Sequence, residues 1–270
     1  MKISIYTYLR NVIYLDFHTV QMLRHHLPFA DEIVINEGYS DDGTYEAIKD
    51  IDPKIKIQRR SWKDVKPGMS WWCILANEAR VRCTGDWCIK LDADEFIPEW
   101  EFDRIRSMLA STDQDLFGMR LKNFYGNYKV LHQAPEQIRW PAWKQVIHRN
   151  LPEVQVVGDG TNVRIGEQPW VEVPQEAVEL HHFGFVRRPA RLRQKWRNQT
   201  AINSVKPHFD RVPGFVYDFA PHDWVDKDIV DGLVPYEGPY VKAVRDDPAE
   251  FTRDDMVMYD WVKRHGAAAR

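Results

Sequence analysis

Trp87-Cys88-Ile89-Lys90-Leu91-Asp92-Ala93-Asp94-Glu95 is the stretch whose reading decides the fold. Gly85 punctuates the chain before it, an apolar run follows, and that run ends in three acidic side chains. The pattern predicts a buried strand whose carboxyl end carries carboxylates, the position at which open α/β sheets bind their ligands. Asp92 and Asp94 flank one small residue, a spacing that lets a turn aim both at a single hard cation. The same Asp-x-Asp spacing recurs at 50–52, 113–115 and 226–228 in turn-like surroundings, so only the copy after a strand-like run stands out.

Working outward toward the N-terminus, the chain alternates strand and helix. Residues 3–8 read as a first strand, and Ile13, Phe17, Val20, Leu23 and Leu27 recur at the three-and-four spacing of an amphipathic helix. A second strand is expected at 32–36, a polar loop at 37–44, a short helix at 45–49 and a third strand at 55–59. Trp72, Ala76, Ala79 and Cys83 mark the next helix. Three strand–helix units before a fourth strand predict parallel pairing through right-handed crossovers. Beyond residue 96 the rhythm changes: strands are expected at 115–121, 128–131, 144–148 and 154–157 without regular helices between them. This predicts a mixed or antiparallel second half. Residues 187–198 read as helical, 206 onward as an irregular extension, and 250–265 as a terminal helix. The expected division is therefore 1–205 for the main domain, with halves 1–95 and 96–205, and 206–270 for the extension.

Bulk properties set the class. With 270 residues, 44% hydrophobic and 29% charged, the chain is long and apolar enough for a globular α/β domain. A net charge of −3 gives no bulk attraction to nucleic acid. No apolar run approaches the roughly 20 residues that span a bilayer. The first residues lack a signal peptide's apolar core, and the three cysteines lack metal-type pairing, so buried reduced thiols in a cytoplasmic protein are expected.

Several motifs in this order resemble the inverting nucleotide-sugar glycosyltransferases of family 2, whose fold is called GT-A. They are Tyr6-Thr7-Tyr8-Leu9-Arg10-Asn11, Glu37-Gly38-Tyr39-Ser40-Asp41-Asp42-Gly43-Thr44, Ala76-Asn77, Leu91-Asp92-Ala93-Asp94-Glu95 and His181-His182-Phe183-Gly184-Phe185-Val186-Arg187. The resemblance covers residues 3 to about 195. It implies an α/β fold of GT-A type: a Rossmann-like mixed sheet with a parallel N-terminal half flanked by helices, here with a C-terminal extension. It further implies transfer of a sugar from a nucleoside diphosphate sugar, with a UDP-sugar as the expected donor, to a saccharide, glycan or lipid-linked acceptor hydroxyl.

By the same resemblance Asp94 coordinates Mn²⁺ or Mg²⁺ directly, Asp92 joins it or contacts ribose, and His182 is the third ligand. Strand alternation turns His181 the other way. Glu37 is the expected base or ribose acceptor, with capping of its own loop as the alternative. Thr7 and Tyr8 sit beside the nucleotide, and Arg187 reaches toward the diphosphate. The family's usual Glu-Asp dipeptide is missing between Asp94 and His182, which leaves Asp159 and Glu179 as candidate general bases. Trp140, Trp143 and Lys144 fall where an acceptor site is expected. Residues 254–262 would supply a partner-facing helix for a homo-oligomer, and loose peripheral attachment to a membrane is compatible with the composition. Two rival functions remain open here: a sugar-nucleotide nucleotidyltransferase, opposed by the absence of glycine in the first strand and turn, and a non-catalytic nucleotide- or carbohydrate-binding protein.

Overall fold

A computed structural model describes residues 1–62, 71–132, 143–158, 160, 162–167, 171–172, 178–188, 191 and 233–252. The N-terminal half has the expected alternation: β1 (Ile3–Leu9), α1 (Thr19–His26), β2 (Glu32–Glu37), α2 (Thr44–Ile48), β3 (Ile55–Arg59), α3 (Trp71–Arg80) and β4 (Trp87–Lys90). These four strands pair in parallel in the order β3-β2-β1-β4. The near-continuous apolar content of β1, β2 and β4 follows from burial on both faces, whereas β3 at the end of the order alternates. Ile3, Ile5, Ile33, Ile35 and Ile89 pack with Met22 and Leu23 of α1, whereas Tyr6, Val34 and Cys88 pack with Ala76 and Ala79 of α3.

After β4 come β5 (Glu95–Phe96), α4 (Phe102–Ser111), β6 (Leu116–Tyr125), β7 (Asn127–His132) and β8 (Trp143–Arg149). The hairpin β9 (Val154–Val157) and β10 (Asn162–Ile165) follows, then β11 (Val171–Glu172), β12 (Glu179–Phe185), β13 (Leu233–Pro235) and α5 (Lys242–Asp246). The second half is mixed. β8 joins β4 and β6 antiparallel, β7 joins β6 and β13 antiparallel, and β11 and β12 run parallel to β6. The architecture is thus the mixed α/β sheet with a parallel, helix-flanked N-terminal half.

Some expectations need correction. The first helix begins at Thr19 rather than near residue 13, because Val12 and Leu15 are buried from a turn in which Asn11 and Asp16 adopt positive φ of 52° and 54°. A helix, α4, stands at Phe102–Ser111, where no element was expected; Ile105 and Leu109 bury its apolar stripe. Residues 233–252 are not merely irregular: β13 extends the main sheet, and Val241, Val244 and Phe251 enter the main core. Most of the expected helices at 187–198 and 250–265, the 254–262 face and the 205/206 division lie outside the described residues. All three cysteines are buried and free. No helix among the described residues is long and apolar enough to cross a membrane.

Candidate active site

The parallel pairing brings the carboxyl ends of β1, β2, β3 and β4 to one sheet edge, and two turns there are laced together. Asn11 donates its N–H to Ser40 Oγ at 2.9 Å and accepts from the Asp41 N–H at 3.2 Å. Val12 N–H donates to Thr44 Oγ1 at 3.0 Å, and Tyr14 N–H to Asp42 Oδ2 at 2.7 Å. The Ser40-Asp41-Asp42-Gly43-Thr44 element therefore spends its polar groups on tying the two turns together. Glu37 does likewise. Its fully buried carboxylate accepts from the Ser40 N–H at 2.6 Å, the Tyr39 N–H at 3.2 Å and Arg59 Nε at 2.6 Å. This is the loop-capping arrangement, with both oxygens engaged within the protein.

Beyond β4 the chain turns tightly, and Glu95 closes the turn by accepting the Asp92 N–H at 2.8 Å. Asp92 meets two lysines: Lys90 Nζ on Oδ1, and Lys144 Nζ on Oδ2 at 2.8 Å. Lys144 also contacts Glu95 Oε1. Burial disfavours the ionised Asp92, but the Lys144 and Lys90 cations outweigh it and hold its pKa far below the carboxylate range. Burial likewise opposes charge on Lys144, and the Asp92 and Glu95 carboxylates override it, keeping the ammonium protonated. Lys90 and Lys144 were not expected as partners of Asp92. The sequence signal for Lys90 was a lysine in an otherwise apolar strand run, a pattern that calls for a buried counter-charge, whereas Lys144 beside Gln145 gave none.

Asp94 is built differently. It lies one residue before β5, whose pairing with β12 places His182 opposite Glu95, and the Phe183 N–H holds the Asp94 carbonyl at 2.9 Å. Arg187 binds Asp94 Oδ2 while donating through Nε to Gly184 O and through Nη1 to Leu15 O, each at 2.7 Å. The guanidinium is fully buried and covers the Phe17 ring at 3.5 Å. Arg187 therefore orients Asp94 rather than reaching into an open diphosphate site.

Asp94 Oδ1 faces His182 Nε2 at 3.6 Å. The other ring nitrogen, Nδ1, lies 2.7 Å from Asn123 Oδ1 and donates to it, so Nε2 is the nitrogen turned toward Asp94. Gly184 makes the approach possible: a Cβ there would lie 2.2 Å from His182 Nε2. His181 points to the opposite face, among Trp100, Phe124 and Tyr236. Among the described residues no three His, Cys, Asp or Glu side chains converge as a metal cage, and Asp94 with His182 forms a pair.

An aromatic patch lies beside these groups. Tyr8 stacks on Trp72 at 5.6 Å and meets Trp62 edge-on at 6.2 Å, while Lys90 Nζ lies 5.6 Å from the Tyr8 ring centre. Trp62 was not anticipated here. Alternation along β1 sends Thr7 to the other face, where its buried hydroxyl finds no partner among the described residues. Asp159 itself lies outside the described residues, but its neighbours border the patch. Cys73 Sγ donates to Gly158 O at 3.1 Å, and a Cβ on Gly160 would lie 2.6 Å from Trp72 Cβ and 3.1 Å from the Tyr8 hydroxyl. Glu179 shares the face of His181, not of His182. It pairs with Lys122 at 3.0 Å and lies 3.6 Å from His181; burial would raise its pKa, but His181 and Lys122 hold it at about 2. The structure therefore brings Asp94, His182 and Arg187 together, sets Asp92 and Tyr8 alongside, engages Glu37 and Glu179 elsewhere and turns Thr7 to the other face of β1. Trp140 lies outside the described residues, and Trp143 is partly exposed beside Lys144.

No family model matches the sequence, and no curated protein matches it. Among solved structures the chain is similar to S. aureus TarS. For TarS 1–349 in complex with UDP the identity is 14% over 86% of this chain and 81% of that one, with a TM-score of 0.46. For the complex with UDP-GlcNAc the figures are 12%, 75% and 66%, with a TM-score of 0.45. For TarS 1–349 alone they are 13%, 75% and 65%, with a TM-score of 0.43, so there the chain spans 65% of its neighbour's length.

Proposed function

We propose that the chain is a metal-dependent, inverting glycosyltransferase that moves a sugar from a nucleoside diphosphate sugar, expected to be a UDP-sugar, to an acceptor hydroxyl. The observation that carries this reading is Asp94 Oδ1 facing His182 Nε2 at 3.6 Å. A carboxylate oxygen and a ring nitrogen turned toward one another at that distance bracket a position that a divalent cation can fill. A carboxylate oxygen and an imidazole nitrogen suit Mn²⁺ or Mg²⁺, whose remaining positions substrate phosphates and water ordinarily fill. The residues present thus fit a divalent cation held by Asp94 and His182. When bound, such an ion neutralises the charge that develops on a departing diphosphate.

The chain's own residues supply the rest. Arg187 occupies Asp94 Oδ2 and so leaves Oδ1 as the oxygen directed at His182. Asn123 sets the His182 tautomer, the ordinary task of a group behind a metal ligand. The Tyr8–Trp72–Trp62 patch offers a flat face for a nucleobase or sugar ring. Asp159, between glycines that border that patch, is the proposed base that takes the acceptor hydroxyl's proton for in-line displacement with inversion.

Thermal unfolding with UDP and UDP-sugars, with and without Mn²⁺, tests the assignment. A stabilisation of roughly 2.7 kcal/mol is expected at a hundredfold excess over Kd, and it should require the metal. The Asp94→Asn variant should lose the metal requirement along with most of the affinity. Release of nucleoside diphosphate upon transfer supports the reading, whereas release of pyrophosphate, or unchanged UDP binding in Asp94→Asn with Mn²⁺ present, would sink it.

A further inference from the structure

The cluster around Asp92 carries a second assignment, which rests on the nucleotide-sugar reading above. Asp92, Glu95, Lys90 and Lys144 form one ionic group with a single opening. The side chains of Glu95, Lys90 and Lys144 are 1%, 1% and 4% exposed, whereas that of Asp92 is 27% exposed. Lys90 and Lys144 each take one Asp92 oxygen, and Lys144 simultaneously engages Glu95, whose other oxygen accepts the Asp92 N–H. The carboxylate is thus fixed at both oxygens and at its own backbone. Each oxygen bound to a lysine still has a second lone pair, so the exposed edge of Asp92 remains able to accept hydroxyl hydrogen bonds.

Burying such a cluster is a poor route to stability, because desolvation offsets most of the Coulomb gain. Its geometric effect is larger. Lys144 enters from β8, a strand of the second half, at a point where the register slips. Ile147 pairs with Phe117 and Gln145 with Gly118, which leaves Val146 as an inserted residue two positions from Lys144. Insertions of this kind re-aim neighbouring side chains near functional sites.

We propose that Lys144 is a positioning residue for the donor: it holds Asp92 away from the Asp94–His182 cation and presents its free edge to a hydroxyl of the nucleotide sugar. Asp94 and His182 then serve the cation and Asp92 serves a hydroxyl, with Lys144 enforcing the division. The proposal requires Lys144 to act through Asp92, without touching the ligand itself.

Calorimetric titration of UDP in the presence of Mn²⁺ tests this, using wild type, Lys144→Met, Lys144→Arg and the double variant Lys144→Met/Glu95→Gln. Lys144→Met should weaken UDP by about tenfold or more, as losing an orienting group behind a binding residue commonly does. Lys144→Arg should restore most of the loss. Urea unfolding gives the second readout. Lys144→Met strands Glu95, so the double variant should recover stability but not UDP affinity. Unchanged UDP affinity in Lys144→Met would overturn the proposal, and so would a double variant that recovered affinity together with stability, since Lys144 would then serve the fold alone. Failure of the wild type to bind UDP with Mn²⁺ would instead remove the nucleotide reading, and this inference with it, before any variant is needed.

Discussion

Glu37 and Asp94 are both buried acids at or beyond the carboxyl ends of strands in the parallel half, on either side of β1, yet their surroundings differ. Glu37 has both oxygens taken by its own loop and by Arg59. Asp94 has one oxygen taken by Arg187 and the other directed at the outward ring nitrogen of His182. Position at a sheet edge therefore does not make an acid functional. What distinguishes the two is whether backbone donors and an arginine close the carboxylate or one oxygen is turned toward a histidine ring.

The largest effect that would test this contrast comes from Asp94→Ala. It leaves the fully buried Arg187 without its anion, and unfolding free energy should fall by about 3–5 kcal/mol in urea. A loss near that expected for an exposed pair would mean that Arg187 has other means of compensation.

Acid adds a background that must be separated from either carboxylate. Burial lowers the pKa of His148 to about 4, so the folded state resists a proton that the unfolded chain accepts near 6.5. Stability should be complete above pH 6.5 and fall by about 3 kcal/mol as pH drops toward 4. Buried His26 acts in the same direction. Replacing His148 with Gln should flatten part of that slope, measured as urea midpoints across the interval.

Smaller effects sharpen the comparison. A methyl at Gly184 must displace the His182 ring, so Gly184→Ala should cost roughly 1–3 kcal/mol and abolish any Mn²⁺ dependence of UDP binding. Retained dependence would show that the histidine is not needed there. Glu37→Gln should cost only about 1 kcal/mol, because the amide oxygen can keep a loop hydrogen bond and Arg59 is partly exposed. It should leave UDP binding unchanged; a substantial loss would return Glu37 to the nucleotide.

The parallel half was legible because strands buried on both faces and helices buried on one write different periods into the chain, as in residues 3–9 against 71–80. The acids after β4 were legible because apolar residues led straight into them. The partners were not. Lys144, Arg187 and Asn123 reach Asp92, Asp94 and His182 across sequence separations of 52, 93 and 59 residues, and pairing at that range depends on sheet order. The apolar spacing at Ile13 and Phe17 imitated a helix, because residues packed from a turn can fall on the same intervals. The loop at 37–44 was legible as a turn, but whether its acids faced inward or outward depended on Arg59 and on the chain at 11–14.

The pairing of β13 with β7 also bears on how the protein is made. Residues 130–132 meet their partners only at 233–235, so the edge of β7 stays open while the intervening chain is still being synthesised. A released chain ending before residue 233 should therefore be more protease-sensitive around β7 than one that includes residue 252, in which Phe251 can also enter the core.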